Sequence, residues 1–326
     1  MATGVNVLHL LNSEMQSILD QDNSLQSEVD ITGLSRVEAS RNCYNHARAF
    51  WNQGGPSMHQ RMDLKVPGQQ ADINCRLHIP VQLENETQVP VVLFSHGGSW
   101  MLGNLDTHDR VMRELANRGG FAVLGVDYRL APEASYDDMR ADVMAVLRYV
   151  RESGDALNLN GNNIALAGDS AGAQLSLCTA LDDDTTDSRL KALVLIYGAY
   201  GLADSVSRRL YGGKESGLDE ESMIFSRQCL LGKDADPIAS GFDLLRRDLS
   251  TLPASLVTSC TLDPLCDDSL ALVKFMQCQG VSHEYYQAEG VLHGYVHFSG
   301  WLAEARTTLD KCANFLANAL VGNAVN

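Results

Sequence analysis

Gly168-Asp169-Ser170-Ala171-Gly172 is the stretch on which the reading of this chain turns. It follows Asn163-Ile164-Ala165-Leu166-Ala167, a short apolar run with the character of a buried strand, and precedes Gln174-Leu175-Ser176-Leu177-Cys178, which reads as a helix. A strand, a sharp turn tipped by serine and then a helix is the arrangement of a nucleophile elbow. Such a turn holds its serine in strained backbone space while neighbouring chain passes very close. The residues two before and two after the serine must therefore be small, and Gly168 and Gly172 meet that demand. The geometry exposes the hydroxyl of Ser170 and aims the N–H of Ala171, at the helix N-terminus, toward the same point. An ordinary glycine-rich strand-to-helix turn would fit the pentapeptide equally well, so the rest of the chain has to decide.

Outward from this turn, apolar runs alternate with helical periods. Val89 to Ser95, Phe121 to Val126, Leu190 to Tyr197 and Ala254 to Thr261 read as strands, with a more polar one over His283 to Gln287. Helices are expected over Asp106 to Arg118, along Tyr136, Met139, Val143, Val146, Leu147 and Val150, and from Gly300 to Leu320. Near-continuous apolar strands separated by helices predict an α/β fold, a mostly parallel central sheet covered on both faces. Upstream, Met62 to Val66 and Ile73 to Ile79 alternate around Pro67-Gly68 and predict an antiparallel pair. Residues 1–55 carry two amphipathic helical stripes, Leu8, Leu11, Met15, Ile18 and Leu19 on the first and Val37, Tyr44, Ala47 and Trp51 on the second. Residues 201–235 are too long for a plain connection and include a helical segment, Met223 to Leu231. The expected organisation is a core of residues 56–200 and 236–326, capped over the carboxyl ends of the strands by 201–235 together with 1–55.

A serine is a weak nucleophile until a base takes its proton, and that base needs an acid to fix its tautomer. In a fold of this kind the acid and the histidine follow the serine at the ends of later strands. Asp263 lies just past the strand ending at Thr261, and His293 past the strand ending near Gln287. Asp267 and Asp268 are rival acids, but they read as the first turn of a helix through Leu270 and Val273, where carboxylates satisfy free N–H groups. His297 is a rival base further from the strand end, and His283, within a strand, reads as structural. Donors for an oxyanion are expected in the loop after an early strand, where His96-Gly97-Gly98-Ser99-Trp100 follows Ser95. Gly212-Gly213-Lys214 is no phosphate loop, because Arg208 stands where that motif needs glycine.

Composition narrows the partners. The net charge is −16 and the pI about 4.9, which argues against nucleic acid and anionic membrane as partners. The eight cysteines form no Cys-x-x-Cys pair, so neither a zinc site nor a disulfide framework is expected. No basic n-region with an apolar run follows Met1, and the reading is a cytoplasmic protein. Beyond a small molecule, the partner left open is a second copy of the chain as a homodimer.

From about Val89 onward the chain resembles the bacterial hormone-sensitive-lipase-like esterases of the α/β-hydrolase fold. The resemblance rests on HGGSW (96–100), DYRLAPE (127–133), GDSAG (168–172), DPLCDD (263–268) and HGY (293–295), in family order and spacing. Asp236-Pro237-Ile238-Ala239-Ser240 is also family-like, and the run from Tyr197 to Gly213 looks especially like the bacterial acetyl esterases. The resemblance implies Ser170 as nucleophile, His293 as base and Asp263 as its orienting acid. It implies an oxyanion hole from Gly97, Gly98 and Ala171, with Ser99 sharing in it. No cofactor or metal is implied. Ser99 departs from the third glycine usual in the family, and Tyr136-Asp137-Asp138 from Phe-Pro-Ala, a change that bears on a local turn. Asp127, Arg129 and Glu133 are expected to brace the loop beside the site through ion pairs. The activity implied is hydrolysis of short-chain acyl esters, acetyl to about hexanoyl, by a carboxylesterase. An amidase with the same triad, or a binding protein that kept the fold and lost catalysis, are the rival readings, and the latter would be expected to lack His293.

Overall fold

The computed structural model describes residues 5–185, 190–234, 236, 238 and 241–322. Its centre is one sheet built from β1 (Met58–Val66), β2 (Ile73–Pro80), β3 (Val89–Ser95), β4 (Ala122–Asp127), β5 (Leu159–Asp169), β6 (Leu193–Ile196), β7 (Ser255–Cys260) and β8 (His283–Ala288). The spatial order is β1-β2-β4-β3-β5-β6-β7-β8. β1 and β2 are antiparallel to each other and β2 is antiparallel to β4, whereas β4, β3, β5, β6, β7 and β8 run parallel. The fold is thus α/β, with an antiparallel edge on a parallel sheet. β1 begins at Met58, four residues before the alternation made it legible, because its outward positions are polar and its inward ones only half-buried.

Period-two alternation in the strands divides the core between two faces. Val91, Leu93, Leu124, Leu166, Leu195 and Val257 point to one face. There they meet α4 (Tyr136–Ser153) through Met139, Val143, Val146 and Leu147, α5 (Ala171–Asp182) through Leu175, and α8 (Cys266–Cys278) through Leu272 and Met276. Val92, Phe94, Val123, Ala165, Ala167, Val194 and Ile196 point to the other. They are covered by α3 (Asp109–Gly119) through Val111, Met112 and Leu115 and by α9 (Ala303–Leu320) through Leu309, Ala313 and Leu316. This two-sided burial is why the strand sequences are apolar throughout.

Local chemistry sets the helix starts. α3 begins at Asp109 rather than Asp106, because the side chain of Asn104 accepts the N–H groups of Asp106 and Thr107 and holds that stretch as a turn. Ser135 caps α4, accepting the N–H of Asp138 while the Asp138 carboxylate takes the N–H of Ser135. That reciprocal box makes Tyr136-Asp137-Asp138 a helix start without a proline. The same box, Ser35 with Glu38, opens α2 (Arg36–Trp51), which with α1 (Ser13–Ser27) precedes the first strand. Met15, Ile18, Ala47 and Trp51 join the second face of the core. α6 (Val206–Tyr211) and α7 (Glu220–Leu231) occupy the stretch after β6. Of the family-like run 236–240, Pro237, Ala239 and Ser240 lie outside the described residues, as does Ala235 at the expected cap boundary.

Candidate active site

β5 runs to Asp169 and α5 starts at Ala171, so Ser170 alone makes the turn. Its φ is +53° with ψ −119°, a conformation costly for a side-chain-bearing residue. The amide of Ser170 donates to the carbonyl of Ile196 at 2.8 Å, which ties the strained residue to β6. A Cβ on Gly172 would lie 2.0 Å from the carbonyl oxygen of Ser95, and one on Gly168 would lie 2.5 Å from the backbone of Gly172. The two glycines are therefore required by the crossing of β3 beneath the elbow, as their spacing predicts.

The three expected side chains meet. His293 Nε2 lies 2.8 Å from Ser170 Oγ, and His293 Nδ1 lies 2.8 Å from Asp263 Oδ2. A carboxylate can only accept, so Nδ1 carries the proton and Nε2 presents its lone pair to the serine hydroxyl. Asp263 is fully buried and receives the N–H of Leu265 at 2.8 Å on Oδ1 and the thiol of Cys260 at 3.4 Å on Oδ2. The Tyr197 ring stands edge-on to the imidazole, centroids 4.8 Å apart.

The oxyanion side is corrected in one respect. The N–H of Gly97 is committed to Asp169 Oδ1 at 2.8 Å, with His108 Nε2 at 3.2 Å, so it is no free donor. Among the described residues the amides of Gly98, Ser99 and Ala171 donate to no protein acceptor, and these three are the available ones. Gly98 has φ +128° and a Cβ there would strike the carbonyl of Leu102, whereas Ser99 and Trp100 hold φ +53° and +60°. A serine thus occupies the left-handed position that a third glycine would take without strain. Asp169, inside the motif itself, is the residue that sequence reasoning missed: no periodicity or spacing distinguishes it from a filler position.

His108, Asp169 and His297 are buried with ligand atoms within 4.8 Å of one another, the make-up of a metal site. The Thr107 hydroxyl lies 2.9 Å from both the carbonyl of Asn104 and His108 Nδ1. His108 Nε2 lies 3.2 Å from Asp169 Oδ1, and the Tyr197 hydroxyl lies 3.4 Å from Asp169 Oδ2. Asp169 with His108 and the Gly97 amide thus forms a brace under the elbow. Burial raises the Asp169 pKa, but His108 and the Gly97 amide outweigh it and hold the carboxyl below its ordinary range. Burial, reinforced by the neighbouring His108, pushes His96 down to about 3, so its ring stays neutral. The rival base His297 is buried, 3.8 Å from Asp169 and not joined to Ser170. His283 hydrogen-bonds the carbonyl of Val281 and is structural.

The rival acids take other work. Asp268 is fully buried and accepts the amides of Tyr200, Gly201 and Leu202, with Arg208 Nη2 at 3.2 Å. Asp267 accepts the amide of Ser207. Both serve the chain leading into α6 rather than their own helix start, which corrects the capping expectation. Around the DYRLAPE loop two of three expected ion pairs form. Arg129 clasps Asp142 with two bonds of 2.8 Å, and Glu133 receives both ends of Arg41 from α2 at 2.7 Å. Among the described residues the ion-pair contact of Asp127 is with the neutral His96 at 4.0 Å, and its carboxylate hydrogen-bonds Asn74. The Tyr128 hydroxyl donates to the carbonyl of His96, and the Ala131 amide to that of Trp100, so this loop holds the oxyanion turn from outside.

Ser170 opens into a cavity of about 1000 Å³, counting the solvent space at its mouth, walled by Ser99, Trp100, Phe242, Leu265 and part of the stretch from Ala199 to Arg227. Arg36 of α2 reaches Glu221 at 3.0 Å and lies 4.1 Å over the Phe225 ring, which joins the N-terminal helices to α7.

Comparison with known proteins places this geometry. A family model described as alpha/beta hydrolase fold matches residues 92–297. The acetyl esterase of Salmonella dublin is 38% identical over 283 residues, 86% of each chain. The chain belongs to the hormone-sensitive-lipase-like family of α/β hydrolases. Among solved structures, the hyperthermophilic esterase of the archaeon Pyrobaculum calidifontis has a TM-score of 0.83 and 32% identity, covering 95% of this chain and 98% of its own. An alpha/beta hydrolase from the metagenome of Lake Arreo, TM-score 0.87 at 23% identity over 95% and 98%, shares the fold. As a member of this family the protein is a serine hydrolase, a carboxylesterase. No helix among the described residues is long and apolar enough to cross a membrane.

Proposed function

We propose that this hydrolase cleaves esters of short acyl chains, acetyl to about hexanoyl, through an acyl-enzyme on Ser170. The observation that carries the reading is the Ser170 Oγ to His293 Nε2 contact of 2.8 Å, continued to Asp263. In this reading His293 Nε2 accepts the hydroxyl proton as Ser170 attacks the carbonyl carbon. The oxyanion that develops is met by the amides of Gly98, Ser99 and Ala171. His293 then protonates the departing alcohol, and water, activated by the same ring, releases the acid. The similarity to bacterial acetyl esterases supports the short acyl range. So does the cavity wall beside Ser170, where the Trp100 indole, pinned to Gln174 at 3.0 Å, stacks edge-on with Phe242 at 5.1 Å and limits the room for a long chain. The free cysteines fit action in a reducing compartment.

The test is p-nitrophenyl ester hydrolysis. Ser170→Ala is expected to lose on the order of 10⁴–10⁶-fold in kcat, and an organophosphate is expected to label Ser170. A wild-type rate in Ser170→Ala would overturn the mechanism. A series over acyl length is expected to peak at or below hexanoyl, and a maximum at decanoyl or beyond would remove the short-chain claim. Matched ester and amide substrates distinguish an esterase from an amidase.

A further inference from the structure

We propose that the cavity over Ser170 is built for esters bearing a carboxylate remote from the scissile bond, and that Arg227 is the residue that selects it. The proposal rests on the serine-esterase reading above and names its substrate class.

α7 presents Glu220, Met223, Ile224 and Arg227 to the cavity, the i, i+3, i+4, i+7 stripe of one helix face. Three arginines line this cavity, and two are already neutralised: Arg208 by the buried Asp268 and Arg209 by Asp204. Arg227 is half-buried and has no hydrogen-bond or ion-pair partner among the described residues. That is unusual in this molecule. Every other described arginine has such a partner except Arg148, which lies exposed on the surface. A chain with net charge −16 has no shortage of carboxylates, so the unpaired guanidinium is a local feature of the cavity wall.

Glu220 is the one cavity carboxylate without a basic partner among the described residues, but it does not quench Arg227. Seven residues along a helix separate the two by roughly 10 Å, and Glu220 is exposed in the first turn, facing the positive end of the helix axis. The wall is therefore polarised: negative at the exposed Glu220, apolar at Met223 and Ile224, positive at Arg227. A half-buried guanidinium has lost part of its hydration, and a carboxylate restores it with two parallel N–H···O bonds in the planar geometry that arginine offers and lysine does not. The surrounding negative charge repels an anion elsewhere on the surface, which sharpens the contrast at this one point. The apolar pair on the same face fits a hydrocarbon spacer between the ester and the charge.

Two substrate pairs of matched shape read the charge alone. On the alcohol side they are 4-acetoxybenzoate and 4-acetoxybenzamide, and on the acyl side the mono-p-nitrophenyl ester of adipic acid and its monoamide. The wild-type enzyme is expected to favour the carboxylate member of at least one pair by about tenfold in kcat/KM. Arg227→Gln is expected to bring the ratio of kcat/KM within that pair to about one, and Arg227→Glu to reverse it. Equal kcat/KM within both wild-type pairs, or a preference that survives Arg227→Gln, would overturn the proposal. p-Nitrophenyl acetate, assayed alongside, separates the two readings. If wild type cleaves it and Ser170→Ala does not, the esterase stands whatever the charged pairs show. If wild type fails on it as well, the esterase reading itself falls.

Discussion

Asp263 and Asp268 stand five residues apart around the start of α8, and neither has any exposed surface. They sit in one short motif and look alike as residues, yet they hold different parts of the molecule. Asp263 spends one oxygen on a backbone amide and the other on the proton of His293, a ring that can gain and lose charge. Asp268 spends its oxygens on three consecutive amides just past β6 and on Arg208 at the cavity wall. A carboxylate facing a titratable ring can steer a proton. One facing fixed donors can only set the path of a chain. The Ser170 corner and the base of the cavity wall thus use the same residue type for opposite ends, a proton's position in one and the chain's path in the other.

Substitution of each aspartate tests that division, beginning with the largest effect. Asp263→Asn keeps the volume but removes the acceptor that holds the His293 tautomer, and kcat is expected to fall about 10³–10⁴-fold with the urea midpoint nearly unchanged. Asp268→Asn leaves a positive Arg208 without its counter-charge and is expected to cost about 2–4 kcal/mol of stability, less than a fully buried pair would because Arg208 is partly solvated. Its KM should rise, since Arg208 lines the cavity, while kcat of the folded protein holds. A collapse of kcat without loss of stability in Asp268→Asn would break the comparison, as would global unfolding in Asp263→Asn. The smallest effect belongs to the oxyanion turn, where the donors are backbone groups. Ser99→Gly relieves φ +53° at the cost of a more flexible unfolded chain, for an expected net gain of about 0.5 kcal/mol. The kcat/KM should stay within about threefold. A tenfold loss would mean that the Ser99 hydroxyl, and not only its amide, takes part.

The parallel strands were legible because burial on both faces demands apolar residues at every position, as in Val91 to Phe94. The half-buried start of β1 and the turn before α3 were not, since one rests on a weakly buried face and the other on the side chain of Asn104. The meeting of Ser170, Asp263 and His293 could be read because the elbow needs glycine on both sides of Ser170 and the other two residues follow strand ends. Gly97 was misjudged for a physical reason. A glycine pair shows that backbone approaches closely, but not what approaches it, and here the neighbour is the Asp169 carboxylate.

Local chemistry along the chain, then, determines the α/β alternation, the elbow and the order of Ser170, Asp263 and His293. Each follows from backbone strain, strand burial or the sequence of strand ends. Only the tertiary structure decides what Asp267 and Asp268 hold, which amides stay free for an oxyanion, and which cavity arginine lacks a partner. Those outcomes depend on pairings between residues tens to hundreds of positions apart, such as Asp268 with Tyr200 or Gly97 with Asp169. Hydrogen bonds of that reach leave no period in a sequence, because they are satisfied across the fold and not along it.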